Sequence, residues 1–193
     1  MFRSNRLFRC RCLFFALFLS LQCFLVGCAG SGGNQPARSD GAPEMTTASK
    51  LLAAIEASQT ELPACRNILR MDAATESCRY LSIETAALLY AENKTAALPE
   101  YARMNQCLVR LADSMCGFEI HVMEGKTVQD AEGLEELCRN RLHLLQTREL
   151  HLYMQDAYER YVAAGQVIVR GRYVFLLLTA DNQAAVAAID KIL

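Results

Sequence analysis

The chain reads VIVRGRYVFLLL at residues 167–178, and this stretch decides the fold. Two runs rich in β-branched and aromatic residues flank Arg170-Gly171-Arg172, which predicts a β-hairpin with its glycine where a positive φ is easiest. The second run, Tyr173–Leu178, is apolar throughout, which is typical of a central strand covered on both faces. The hairpin therefore places an antiparallel sheet at the centre of the domain.

A further strand is predicted upstream, where residues 118–122 read FEIHV. Strict alternation puts Phe118, Ile120 and Val122 on a buried face and Glu119 and His121 on the other. Residues 99–115 leave two interpretations open. Their apolar residues fit one helical stripe, but residues 105–111 also fit a strand that turns back through Asp113-Ser114.

Helical periodicity and capping residues predict the other elements. Thr47 or Ser49 begins a first helix, and two short helices follow within residues 64–97. Thr127 begins a long helix, residues 150–163 form another that Gly165 ends, and Asp181 begins a closing helix. The fold class is therefore α+β: a small antiparallel sheet of about four strands packed with helices, after an N-terminal helical region.

The first 27 residues are typical of an export signal. Four arginines and no acid precede an apolar run of 15 residues that ends in Leu25-Val26-Gly27-Cys28, a match to the lipobox of bacterial lipoproteins. Cleavage between Gly27 and Cys28 is expected after diacylglycerol has been attached to the Cys28 thiol. An ordinary signal peptide cut nearby and an uncleaved anchor helix are the alternatives.

The sequence thus divides into a signal peptide (residues 1–27), a flexible tether (residues 28–44) and one α+β domain (residues 45–193). The tether is rich in Gly, Ser, Pro and Ala, and its reach is about 20–25 Å. We expect an extracytoplasmic protein attached to the cell membrane by lipid on Cys28. An envelope protein or peptide is a further candidate partner.

The net charge and the number of cysteines limit the classes of function that the domain can have. Removing residues 1–27 leaves 16 basic and 21 acidic residues, a net charge of −5, which argues against nucleic acid as a partner. Five cysteines remain in the domain, an odd number without a CxxC pair, so we expect mostly packed thiols. One or two disulfides are the alternative, with Cys65 and Cys78 as the expected local pair.

The order of several short motifs resembles a family of uncharacterised lipid-anchored extracytoplasmic domains, chiefly of Firmicutes. The motifs are FEIHV at residues 118–122, a charged helix with Arg141 and Gln146, then Tyr153, and GRYV at residues 171–174. The family pattern has a proline soon after the tyrosine, and Met154-Gln155 stands there instead. The resemblance covers residues 66–193, implies an α+β fold, favours a strand over residues 103–111 and implies no activity.

Few residues in the domain are candidates for chemistry. A strand glutamate, Glu119, opposite a helix arginine, Arg141, predicts either a structural ion pair or a clamp on a charged ligand. His121, His143 and His151 show no zinc-binding spacing, and no GxSxG motif is present, so we expect no catalytic residue, metal or cofactor. Three tyrosines could either line a carbohydrate or peptide groove or belong to the core, namely Tyr153, Tyr158 and Tyr161.

These observations favour a membrane-tethered binding or interaction module of the cell envelope over an enzyme. The alternatives are an envelope-acting hydrolase and a structural spacer lipoprotein. A cleft with converging carboxylates or a His/Cys pair would favour the enzyme, a shallow apolar face would favour the module, and a spacer would lack any cleft. An unpaired sheet edge or the second face of the strand at residues 118–122 is a candidate docking surface.

Overall fold

A computed structural model describes residues 45–72, 78–91, 98–114, 116–147, 152 and 154–193. The predicted signal peptide and tether, including Gly27 and Cys28, lie outside the described residues, as do His151 and Tyr153. No helix in the described part is long and apolar enough to cross a bilayer.

In the described part of the chain, pairs of strands alternate with helical segments. In chain order they are α1 (Thr47–Ser58), β1 (Ile68–Arg70), β2 (Cys78–Tyr80), α2 (Ile83–Tyr90), a 3-10 helix (Pro99–Arg103), β3 (Met104–Leu111), β4 (Glu119–Gly125), α3 (Asp130–Thr147), α4 (Gln155–Ala157) continued by a π-helical turn (Tyr158–Val162), β5 (Gln166–Arg170), β6 (Tyr173–Leu178) and α5 (Asn182–Asp190).

The strands form one mixed sheet in the order β2-β1-β3-β4-β6-β5. Every neighbouring pair is antiparallel except β1 and β2, which run parallel. The α+β class is confirmed, but the prediction of about four antiparallel strands is wrong, because β1 and β2 add two strands and a parallel pair. The β5–β6 hairpin is confirmed, and Gly171 at its turn has a φ of 56°.

The prediction of a helix at the start of residues 64–97 is also wrong. Strand β1 occupies part of that segment and pairs with β3, with Leu69 opposite Val109. Three-residue strands such as β1 and β2 are too short to show alternation, and a long-range partner decides their conformation. The second predicted helix exists as α2, and the ambiguous segment before β4 is strand β3 after a 3-10 turn.

Side-chain caps explain where the helices begin. The Thr46 hydroxyl accepts a hydrogen bond from the Ser49 amide at 3.3 Å, so α1 starts one residue after Thr46 rather than at a cap on Thr47 or Ser49. Before α3, Thr127 and Asp130 bond each other reciprocally. The Asp181 carboxylate accepts from the Ala184 amide at 2.9 Å, which confirms its predicted cap on α5.

The sheet is covered on both faces, by α1 and α5 on one side and by α2 and α3 on the other. Successive strand residues point to opposite faces. Arg110 of β3 bonds Glu56 of α1 at 2.6 Å and lies opposite Ile120 of β4. Glu119, the residue before Ile120, points to the other face and bonds Arg141 of α3. Every residue of β4 and β6 is buried. The expectation of an exposed polar face on β4 is therefore wrong, because α2 and α3 cover Glu119 and His121.

Candidate functional site

The structure brings Glu119 and Arg141 together in the interior. The Arg141 guanidinium donates through Nη2 to Oε1 at 2.5 Å and through Nε to Oε2 at 3.0 Å, which makes a bidentate ion pair between β4 and α3. Glu119 is 5% exposed and Arg141 is 8% exposed. The pair is therefore largely removed from water, where geometry and additional hydrogen bonds decide whether it is tolerated.

Two further buried side chains extend this pair. The His121 Nε2 lies 2.9 Å from Oε2 of Glu119, and its Nδ1 lies 2.7 Å from the Tyr90 hydroxyl. We refer to Tyr90, Glu119, His121 and Arg141 as the buried quartet. Because Tyr90 ends α2, the quartet connects α2, β4 and α3, and Arg141 Nη1 also donates to the Leu89 carbonyl of α2 at 3.5 Å.

Burial and hydrogen bonding determine which members of the quartet carry a proton. Burial would raise the pKa of Glu119, but hydrogen bonds from His121 and Arg141 outweigh it and lower that pKa to about 2. Burial lowers the pKa of His121 and raises the pKa of Tyr90 well above its ordinary value. Glu119 is thus an anion that only accepts, so a neutral His121 carries its proton on Nε2 and accepts from Tyr90 at Nδ1.

The order hydroxyl, imidazole and carboxylate is that of an activated nucleophile with an oriented base. Its surroundings prevent that use, since His121 is fully buried and Tyr90 is only 1% exposed. A substrate reaches neither the imidazole nor the hydroxyl in this conformation. The arrangement therefore holds three elements together.

A cleft of about 330 Å³ lies beside the quartet, lined by residues of α3 and by Tyr90, Ala91, Leu98 and Glu100. Tyr90 lines it, so a member of the quartet forms part of the cleft wall. This volume is at the lower end of roughly 300–1,000 Å³ for small-molecule sites. The residues that line the cleft include Tyr90, Leu98, Glu100, Gly133, Glu136, Leu137, Asn140 and His143.

The other predicted site residues lie apart. Of the histidines, His143 is exposed at the cleft and His121 is in the quartet. Tyr161 is buried in the core with its ring edge against Phe118, and Tyr158 packs half-buried against the core. In the described part of the chain, none of the five cysteines of the domain forms a disulfide. Among the described residues no group of three His, Cys, Asp or Glu is placed to hold a metal ion.

Sequence reasoning missed Tyr90 and the carboxylates of the cleft. Glu100, Glu136 and Asn140 come from segments that lack any motif, and only the fold brings them to one place. The signal that existed was a polar pair, Glu119 and His121, on a strand in the middle of the sheet. Such a pair implies buried partners from neighbouring helices.

A second buried carboxylate was also missed. Glu124 on β4 accepts from the Tyr173 hydroxyl and from Asn105 Nδ2, both at 2.9 Å, and pairs with Arg172 at 2.5 Å. Glu119 faces α3, and side chains an odd number of residues apart on a strand point to opposite faces. Glu124 therefore lies on the sheet face that α1 covers. Three donors on three different elements or turns therefore hold this carboxylate in place.

Comparison with models of known protein families, with curated proteins and with solved structures gives no match. The resemblance to the lipid-anchored family stays a prediction. Three features of the molecule bear on its function: the N-terminal sequence, the buried quartet and the cleft.

Proposed function

We propose that the chain is a lipid-anchored extracytoplasmic binding module of the cell envelope, in which the cleft beside Tyr90 takes the ligand. The N-terminal pattern that ends at Gly27-Cys28 supports export and lipid attachment. The observation that carries the binding part is the cleft itself, an indentation of ligand size with polar groups along its wall. A structural spacer has no need of such a feature.

One observation favours the alternative of an envelope hydrolase: two carboxylates and an imidazole line the same cleft, from Glu100, Glu136 and His143. Acid catalysis by a carboxyl at neutral pH requires apolar surroundings that keep it protonated. Glu136 and His143 lie exposed on α3, however, and the one imidazole with an oriented carboxylate, His121, is sealed inside. Binding is therefore the better-supported function.

Metabolic labelling with radioactive palmitate tests the anchoring. We expect the native chain to be labelled and to fractionate with membranes, and Cys28→Ser to incorporate no label. Label in both forms or in neither would contradict lipid attachment at Cys28.

Affinity capture from membranes tests the binding. Native protein and Gly133→Leu are compared after circular dichroism has shown both to be folded. The added side chain would begin 3.4 Å from Cγ of Glu100, which also lines the cleft. We expect at least one envelope component to be enriched by the native chain and lost with Gly133→Leu. Identical captured material would contradict binding through the cleft.

A further inference from the structure

The tether joins the domain at one end of the sheet. Helices α1 and α5 pack against each other, and they run antiparallel, because Gln59 after the end of α1 bonds Asp181 before the start of α5. The start of α1, which follows Met45, therefore lies beside the end of α5. Asp190 at that end accepts a hydrogen bond from Arg170 of the β5–β6 hairpin at 2.8 Å. The tether thus enters the domain near the hairpin turn.

The loop before α3 completes this end of the domain. The amide of Gly125, at the end of β4, donates to the carbonyl of Arg172 in the hairpin turn at 2.8 Å, so the residues that follow Gly125 lie next to that turn. We refer to four segments as the tether face, namely residues 45–50, 126–130, 170–172 and 190–193. They are distant in the sequence, and the fold brings them together where the tether is attached.

The tether face is basic although the domain is acidic. Residues 45–193 hold 15 basic and 19 acidic side chains, whereas the tether face holds five basic and two acidic ones. The basic residues are Lys50, Lys126, Arg170, Arg172 and Lys191. Arg170 pairs with Asp190 and Arg172 pairs with the buried Glu124, and the three lysines are exposed. An excess of positive charge therefore remains at the surface of this face.

Exposed apolar side chains lie on the same face. Nine large apolar side chains are exposed in the described part of the chain, and four of them belong to the tether face, namely Met45, Val128, Ile192 and Leu193. The face contains only 18 of the 132 described residues, so exposed apolar side chains are concentrated there. Basic groups combined with exposed apolar side chains are typical of surfaces that lie against anionic membranes.

We infer that the tether face lies against the anionic phospholipid headgroups of the membrane that holds the anchor, and that this contact orients the domain. The inference deepens the proposed function and rests on it, because lipid on Cys28 brings the face to the bilayer. Only 16 residues separate Cys28 from Met45, and a short flexible link of this kind gives an effective concentration on the order of 1 mM. Each basic side chain near an anionic surface strengthens the association about fivefold.

Paramagnetic relaxation in nanodiscs tests the inference. The native lipoprotein is reconstituted into discs of phosphatidylcholine alone and into discs in which about one third of the lipid is phosphatidylglycerol, which gives an anionic surface. Both kinds of disc contain a trace of lipid with a gadolinium chelate on its headgroup, and NMR measures the relaxation enhancement of the backbone amides. The two lipid compositions are compared, because the tether alone keeps one end of the domain near the disc.

We expect the amides of the tether face to show about twofold or more enhancement in anionic discs relative to neutral discs, at about 0.15 M salt. The clearest reporters are the amides of Val128, Arg172 and Ile192, which come from three of its segments. The excess should fall at about 0.5 M salt, because the contact is electrostatic and screened.

Charge reversal on the face identifies the groups responsible. Lys126→Glu combined with Lys191→Glu should abolish the excess in anionic discs. The matched control combines Arg66→Glu with Arg139→Glu, which reverse the same number of exposed charges outside the tether face and should retain the excess. Amide spectra show whether each variant is folded, and a misfolded reversal is replaced by Lys126→Gln with Lys191→Gln.

The same enhancement in both kinds of disc, or an equal loss of the excess in the control variant, would overturn the inference. Protein that enters the discs but shows no excess keeps its anchor, so the orientation is wrong and the anchored module stands. Protein that does not enter the discs lacks the lipid, which would contradict the proposed function and this inference together.

Discussion

Removal of either partner of the Glu119–Arg141 pair should strongly destabilise the domain. Both side chains are more than nine-tenths buried, so Arg141→Met leaves an unpaired carboxylate inside and Glu119→Gln leaves an unpaired guanidinium. Such single changes at buried pairs destabilise by about 3–5 kcal/mol. For a domain of this size that corresponds to a fall in Tm of about 10 °C or more. Glu119→Ala and Arg141→Ala should lower Tm as well.

The double variant measures how much of the destabilisation comes from leaving one charge of the pair without its partner. With Glu119→Gln and Arg141→Met together, no charge is left unpaired, and the Gln carbonyl still accepts from His121. We expect the double variant to be less destabilised than either single variant, a coupling of at least about 2 kcal/mol. Urea unfolding at pH 7, followed by circular dichroism because the chain has no tryptophan, measures all four forms.

The matched control is Arg139→Met on the same helix. Arg139 pairs with Glu135 at the surface, where its side chain is 62% exposed, so the change should alter stability by less than about 0.5 kcal/mol. Additive effects of the two buried changes, or single variants as stable as Arg139→Met, would refute the view that the quartet connects its three elements.

Three further predictions depend on side chains or backbone that are buried in the folded domain. Burial lowers the pKa of His121 in the folded state, so the unfolded chain binds more protons than the folded chain at pH values below the ordinary pKa of 6.5. The free energy of unfolding in urea should therefore fall as the pH drops from 7 to 5. The fall should be smaller in His121→Gln. Gly165→Ala should destabilise by about 1–3 kcal/mol in the same assay, because its Cβ would overlap Leu178 and lie 2.7 Å from Cδ1 of Leu142. A thiol reagent with peptide mass spectrometry should label the half-buried Cys65 and Cys116 in the native state and reach the buried cysteines only on unfolding, namely Cys78, Cys107 and Cys138.

The hairpin and the closing helix were predictable because their signals are local. Gly171 marks the turn, the run from Tyr173 has no polar residue, and Asp181 caps α5 through its own neighbours. The first strand of the sheet was not predictable in this way. Ile68 and Leu69 fit a helical stripe as well as a strand, and only pairing with β3 selects the strand.

Alternation on β4 predicted the strand but not the burial of its polar face. The rule that polar residues face water failed at Glu119 and His121 because Arg141 and Tyr90 satisfy them inside. The Glu119–Arg141 pair could be suspected from residue type alone. Tyr90 could not, because it comes from a helix far away in the sequence, and the same is true of Glu100 and Glu136 in the cleft.

The proposed function depends on attachment of the domain to the membrane through Cys28. Its most direct test is mass spectrometry of the N-terminal peptide from protein extracted from membranes. We predict a peptide that begins at Cys28 and carries the added mass of a diacylglyceryl group. A peptide that retains Met1, or a mature N-terminus without lipid, would contradict the account.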